Sequence, residues 1–178
     1  MLRNGDVVTL PGMRAVMTVA PADRSVDRME MEITLDPGAV GAPPHRHPSI
    51  DEEYRVLSGT LSVLSGRRWE DIPAGGSVVI PAGRNHTFRN TSAEAVVLTN
   101  IHRPAGAFAD YWERLGALSS AGRITSLGDP RTIMTMSMLV MDHPAALRPT
   151  GALAVVMPIA AWIGRRLGVN RDLTPSVA

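Results

Sequence analysis

The chain has 178 residues, enough for one sizeable core with an appendage and short of two full domains. Its 18 Lys+Arg against 17 Asp+Glu leave a formal charge of +1, so no chain-wide field exists to recruit nucleic acid or a strongly acidic partner. The absence of cysteine removes disulfides, thiolate metal sites and thiol nucleophiles, so the ligands of any metal ion must be His and carboxylate.

The first six residues carry one basic side chain, and Thr9, Pro11 and Gly12 break the apolar stretch that follows. That pattern lacks the hydrophobic run of a secretory leader, and a cytoplasmic location is expected. Up to about residue 104, short β-prone runs alternate with turn formers. The runs are Val7 to Leu10, Ala15 to Ala20, Arg28 to Leu35, Tyr54 to Leu57, Thr60 to Leu64, Ser77 to Ile80 and Ala95 to Ile101. Pro-Gly, Asp-Pro-Gly, Ser-Gly, Gly-Gly and Pro-Ala-Gly separate them, the signature of an antiparallel sandwich or barrel. Met29, Met31, Ile33 and Leu35 alternate with Arg28, Glu30, Glu32 and Thr34, so this strand should turn one face to an apolar interior.

After Pro104 the period lengthens. Phe108, Tyr111, Trp112, Leu115 and Leu118 form the stripe of an amphipathic helix, and a second helix is expected over Arg131 to Asp142, rich in Met and apolar on nearly all sides. A third runs from about Gly151 to Leu167, within the longest uncharged stretch, Pro149 to Gly164, and ends on Arg165-Arg166. That stretch is shorter than the ~20 apolar residues of a membrane span, and it contains Pro158. The expected arrangement is a helix packed on the barrel or on a second subunit. The alternative is an interfacial helix with the arginine pair at its polar boundary. Division into a β-barrel over 1–104 and a helical extension over 105–178 follows.

The chemistry lies in two stretches. His45 and His47, two apart on a strand, point to one face and can share an ion. Glu52 is out of parity with them on an unbroken strand, but Pro48 and Ser49 permit a turn and a restart at Glu52. Farther on, Pro81-Ala82-Gly83 reverses the chain and delivers His86 at the start of another strand. Three imidazoles and one carboxylate suit one divalent ion of Fe, Mn, Ni, Zn or Cu, with coordination positions left for water, dioxygen or substrate.

Both stretches resemble the two motifs of the cupin superfamily. The first is His-x-His, three or four residues, Glu, six residues, Gly, matched by His45, His47, Glu52 and Gly59, with the leading glycine displaced to Gly38 or Gly41. The second is matched without departure by Gly75, Pro81, Gly83, His86 and Asn90. The resemblance covers about residues 28 to 104. It implies a jelly-roll β-barrel with His45, His47, Glu52 and His86 as metal ligands, and the tail looks like that of a group of bacterial single-domain cupins. The superfamily includes dioxygenases, isomerases and epimerases, decarboxylases, cyclase-like proteins, storage proteins and sugar sensors, so the fold alone leaves function open.

Around the four ligands, Tyr54 and Val56 share the parity of Glu52, and Phe88 shares that of His86. With Met29, Met31 and Ile33 they are the candidate pocket lining. Glu52 and His86 are the candidate catalytic groups, Glu52 either staying a ligand or swinging off as a general base. Glu53 should be a solvated or surface-paired carboxylate, Asn90 a turn stabiliser, and His102 is expected at the surface, with the barrel mouth as the alternative. The leading expectation is a metal-dependent enzyme acting on a largely apolar small molecule, through dioxygen chemistry or through Lewis-acid isomerisation, cyclisation or decarboxylation. A non-catalytic ligand-binding module is the alternative. A sugar-nucleotide isomerase would want several pocket cations for the phosphates, and the chain has no lysine. Association as a homodimer through the two apolar helices completes the expectation.

Overall fold

The computed structural model describes residues 6–10, 15–19 and 27–170; the N-terminal segment read above for a leader lies largely outside them. Eleven strands and three helices follow one another among the described residues. They are β1 (Asp6–Leu10), β2 (Ala15–Val19), β3 (Met29–Leu35), β4 (His45–Arg46), β5 (Asp51–Ser58), β6 (Thr60–Ser65), β7 (Arg68–Pro73), β8 (Ser77–Ile80), β9 (His86–Arg89), β10 (Val96–Arg103), α1 (Gly106–Ser120), α2 (Pro130–Asp142), β11 (Arg148–Pro149) and α3 (Leu153–Arg166). Two antiparallel sheets result, in the orders β1-β2-β3-β10-β5-β8 and β11-β4-β9-β6-β7. This is a jelly roll in which the sheets enclose one core without joining into a continuously closed barrel.

The period-two pattern of β3 does what it should. Met29, Met31, Ile33 and Leu35 are buried while Glu32 is exposed. Because β10 pairs with both β3 and β5, inward side chains line up in rows across the sheet. Met29, His102 and Glu52 form the first row, Met31, Asn100 and Tyr54 the second, and Ile33, Leu98 and Val56 the third. Polarity therefore falls off from one end of the sheet toward its middle, and a polar end is built onto an apolar floor.

The motif glycines and asparagine are explained by turns. Gly59 links β5 to β6 at φ +77°, and a Cβ there would lie 2.8 Å from the Ala95 carbonyl oxygen, so both the backbone conformation and the space require glycine. Asn90 is 1% exposed and donates through Nδ2 to the carbonyls of Leu35, Asp36 and Glu94, while its Oδ1 accepts from the amide and hydroxyl of Ser92. Asn90→Ala would remove the shared donor of three carbonyls, one buried and two part-buried. We expect it to cost about 2–3 kcal/mol in urea unfolding with little change in the metal-binding stoichiometry of the folded fraction.

The helices follow the 3.6-residue pattern. α1 buries Phe108, Tyr111, Trp112, Leu115 and Leu118. Asp129 caps α2 by accepting from the Arg131 amide, with Pro130 in the first turn. α2 buries three hydroxyl residues, Thr132, Thr135 and Ser137, beside Leu139 and Val140, so its covered face is less apolar than its methionines suggest. The extension is also woven into the second sheet. β11 pairs with β4, and Thr150 donates its amide to the Pro44 carbonyl and its hydroxyl to Asn85 Oδ1. Among the described residues no helix is long and apolar enough to cross a membrane.

Candidate metal centre

Short-range features of the sequence bring the four candidate ligands to one end of the jelly roll. β4 and β9 pair at His45 and His86, which places two imidazoles side by side with ring centroids 4.3 Å apart. The Pro81-to-Arg84 turn that introduces His86 is tied back to the first motif, since the Gly83 amide donates to the His47 carbonyl at 2.7 Å. Ala82 donates its amide to Asp51 Oδ1 at 2.8 Å, anchoring the same turn beside Glu52. One donor atom from each of His45, His47, Glu52 and His86 lies within 4.8 Å of all the others, and all four residues are buried.

The hydrogen bonds on the far side of each imidazole decide which nitrogen faces inward. Nδ1 of His45 donates to the Pro43 carbonyl at 2.9 Å, Nδ1 of His86 to the Arg84 carbonyl at 2.9 Å, and Nδ1 of His47 to the Ala146 carbonyl at 2.5 Å. Each proton is thus held on Nδ1, which leaves each Nε2 free, and those of His47 and His86 are turned toward Glu52. His47 Nε2 lies 3.2 Å and His86 Nε2 2.5 Å from Glu52 Oε2. Backbone carbonyls that fix a tautomer in this way are the usual outer partners of metal-bound imidazole. The donor set and its orientation fit one divalent ion.

The other carboxylate oxygen is held separately. Asn100 donates Nδ2–H to Glu52 Oε1 at 2.8 Å, and His102 Nε2 lies 3.4 Å from the same atom. His102 corrects the expectation of a surface residue: it is 0% exposed, stacked on Phe108 with centroids 3.5 Å apart at 18°. It stands directly opposite Glu52 in the β10–β5 register. Its parity with Val96, Leu98 and Asn100, all inward, was the available signal. Ala146, a carbonyl 99 residues from the imidazole it holds, left no such signal.

Electrostatics follow from burial and crowding. Burial first, and then the charge of His86, lower the His45 pKa to about 3, so this imidazole is neutral and ready to ligate. Burial alone would raise Glu52, but the imidazoles of His102 and His86, with hydrogen bonds from His102 and His47, outweigh it and hold the carboxyl well below its ordinary range. Burial would likewise lower His86, yet the Glu52 carboxylate raises it above 6.5. Tyr54 stays a phenol, pushed up by burial and by Glu52.

These directions set the pH dependence of the metal-free site. The part of its stability owed to His86 is full below pH 6.5 and fades as pH rises through the raised value. The part owed to Glu52 is full above pH 4.5 and fades as pH falls through the depressed one. A divalent ion must displace the His86 proton. Apparent metal affinity should therefore climb roughly tenfold per pH unit until pH exceeds the raised His86 value, then level off, with about one proton released in calorimetric titrations at several pH values.

The remaining candidates fall as follows. Met29, Met31, Tyr54, Val56 and Phe88 are all buried in the core below the cluster, with the Tyr54 and Phe88 rings 5.3 Å apart. The Tyr54 hydroxyl is buried without a hydrogen-bond partner. Glu53 pairs with Arg55 at 2.6 Å and Arg103 at 2.8 Å on the outer face. Outside that candidate set, Arg84 is exposed and donates to Ser65 Oγ, and His143 donates Nδ1–H to the Leu139 carbonyl.

A jelly roll with a three-histidine, one-carboxylate cluster at one end is the architecture of a cupin. Residues 31–102, the stretch that carries both motifs, match the family model described as the cupin domain. It is also similar to the 3-phosphoshikimate 1-carboxyvinyltransferase of Phenylobacterium zucineum (strain HLK1), 27% identical over 175 residues that make up 95% of this chain and 38% of that protein. The chain thus spans well under half the length of this relative. Among solved structures it is similar to an RmlC-like cupin from Shewanella frigidimarina NCIMB 400, at 20% identity, a TM-score of 0.49 and coverage of 57% of this chain and 86% of the other. KdgF from Halomonas sp. compares at 21% identity and TM-score 0.47, covering 55% and 84%. The Cupin_2 domain of an XRE family transcriptional regulator from Enterobacter cloacae compares at 23% and 0.46, covering 50% and 95%.

Proposed function

We propose that the chain is a metal-dependent enzyme that converts a largely apolar small organic molecule inside the jelly roll, with His45, His47, Glu52 and His86 holding one divalent ion. The observation that carries this reading is the set of three Nδ1–H bonds to backbone carbonyls, which leaves three Nε2 atoms free in one buried cluster with a carboxylate. A bound ion would supply a Lewis acid, or a redox centre, with free positions for substrate.

The chain's own residues do the rest. Asn100 fixes Oε1 of Glu52, which favours a carboxylate that stays a ligand over one that swings off as a base. Tyr54 remains protonated, so its hydroxyl can donate a hydrogen bond to a substrate oxygen near the cluster. Val56, Leu98, Ile33 and Phe88 supply the apolar floor that would select a substrate of low polarity and exclude water from it.

The competing reading is a ligand sensor. Phe108 and Ala146, both from the extension, touch His102 and His47, so a ligand arriving at the cluster would be felt by α1 and the α2–β11 segment. Metal-reconstituted protein incubated with a panel of enolic and phenolic compounds separates the two. Product formation by mass spectrometry, lost in His86→Ala and reduced in Tyr54→Phe, supports the enzyme; tight binding without conversion supports the sensor. An oxygen electrode then divides oxidation from Lewis-acid chemistry.

A further inference from the structure

The third helix, expected to pack on the barrel or on a second subunit, is left largely uncovered by the rest of its own chain. Of its residues only Ala161 and Gly164 are buried. Val155, Val156, Ile159, Trp162, Ile163 and, just beyond the helix, Leu167 are between 39% and 69% exposed. α3 rests on α2 along a narrow seam. A Cβ on Gly164 would come within 2.9 Å of Met138 Sδ and 3.0 Å of Met134 Cβ, so the close approach uses the lack of a side chain at that point. At 100° per residue the exposed positions of α3 sweep about 220° of its circumference, apolar throughout except for Arg165 and Arg166 in the last turn.

The width of that arc and its charge indicate what covers it. A second copy packing helix on helix covers a stripe of roughly 100° and would leave about half the arc in water. It would also bring no acidic side chain of α3 to meet the arginines, because the segment from His143 to Asn170 contains Arg148, Arg165 and Arg166 and no Asp or Glu. A membrane interface accepts the whole arc at once. Arg165 is already paired with Asp142 at 2.6 Å. Arg166 lies over the Trp162 ring at 5.4 Å, an indole and a guanidinium placed together at one end as interfacial helices place them. Fourteen residues span about 21 Å, too short to cross and long enough to lie flat.

We propose that α3 docks the protein on an anionic membrane surface, its axis in the plane of the headgroups and Val155, Val156, Ile159 and Trp162 entering the acyl boundary. This does not depend on the metal centre. Full-length protein should float with vesicles of equal parts phosphatidylglycerol and phosphatidylcholine, bind at least tenfold more weakly to phosphatidylcholine alone, and lose affinity as salt rises. Tryptophan emission should shift to the blue on binding and lose that shift in Trp162→Phe. The Val156→Glu/Ile159→Glu double variant should bind at least tenfold more weakly with an unchanged melting curve, since both positions face solvent. Arg166→Gln, a milder change, should weaken binding to the anionic vesicles alone. Failure to float, equal affinity for neutral vesicles, or undiminished binding by the double variant would overturn the proposal. A stable dimer in light scattering that the double variant dissociates, with no vesicle binding, would assign the face to a second copy instead.

Discussion

Replacing His86 or His47 by alanine is expected to lower the affinity for a divalent ion by three orders of magnitude or more, enough to abolish retention of metal through purification. Each substitution removes one of four donors. It also leaves Glu52, buried at 3% exposure, without an imidazole that offsets its charge. Loss of ligand and loss of compensation act together. Glu52→Gln removes the charge and keeps the shape; it should lose metal comparably while melting closer to the wild type, because no unpaired carboxylate is left behind. Calorimetric titration with Zn(II) and Mn(II), read beside thermal melts of the same samples, measures both effects.

Phe108→Ala is the second large effect. The ring is 4% exposed, stacks on His102 and meets the His47 ring edge-on at 5.3 Å, so truncation opens a cavity between α1 and the cluster. A buried Phe-to-Ala change costs about 3–5 kcal/mol. Here part of that loss falls on the metal centre, since His102 and His47 lose the surface that fixes their rings. We expect a drop in urea midpoint together with a 10–100-fold fall in metal affinity, the size typical of outer-sphere changes. Phe108→Leu, which refills much of the space, should recover most of both. A stability loss with metal affinity unchanged would show that α1 supports the fold and leaves the site alone.

What could be read from the sequence was set by how local its physical cause is. His45, His47, Glu52 and His86 are each placed by a turn and the strand it starts, and the spacing of Pro81, Gly83 and His86 encodes that turn directly. The inward faces of β3 and β10 follow from alternation, and so did the core. β7 was missed because it is an outer strand with Arg68, Trp69, Glu70 and Asp71 all exposed and only Ile72 buried, so no alternation marks it. Trp69 is capped there by the Arg89 guanidinium at 3.9 Å, a cross-strand contact that the linear sequence conceals. His102 was misplaced because the reading of its strand stopped at Ile101, one residue short of the last inward position.

The extension shows the same boundary from the other side. Helical periodicity located α1, α2 and α3 to within a few residues, but periodicity says only which face is apolar. That α1 delivers Phe108 onto His102, that β11 pairs with β4, and that Ala146 orients His47 are consequences of tertiary contact over 99 residues in the last case. The tail is part of the construction of the candidate metal centre, and α3 is the portion turned away from it.

The most direct test of the account is the metal content of the full-length protein, purified without chelator or nickel resin and measured by elemental analysis. About one equivalent of a divalent transition metal, absent from His47→Ala and His86→Ala, is the predicted result. Protein that holds no metal, even after incubation with Fe(II), Mn(II), Ni(II), Zn(II) and Cu(II) at a pH where His86 has lost its proton, would contradict it.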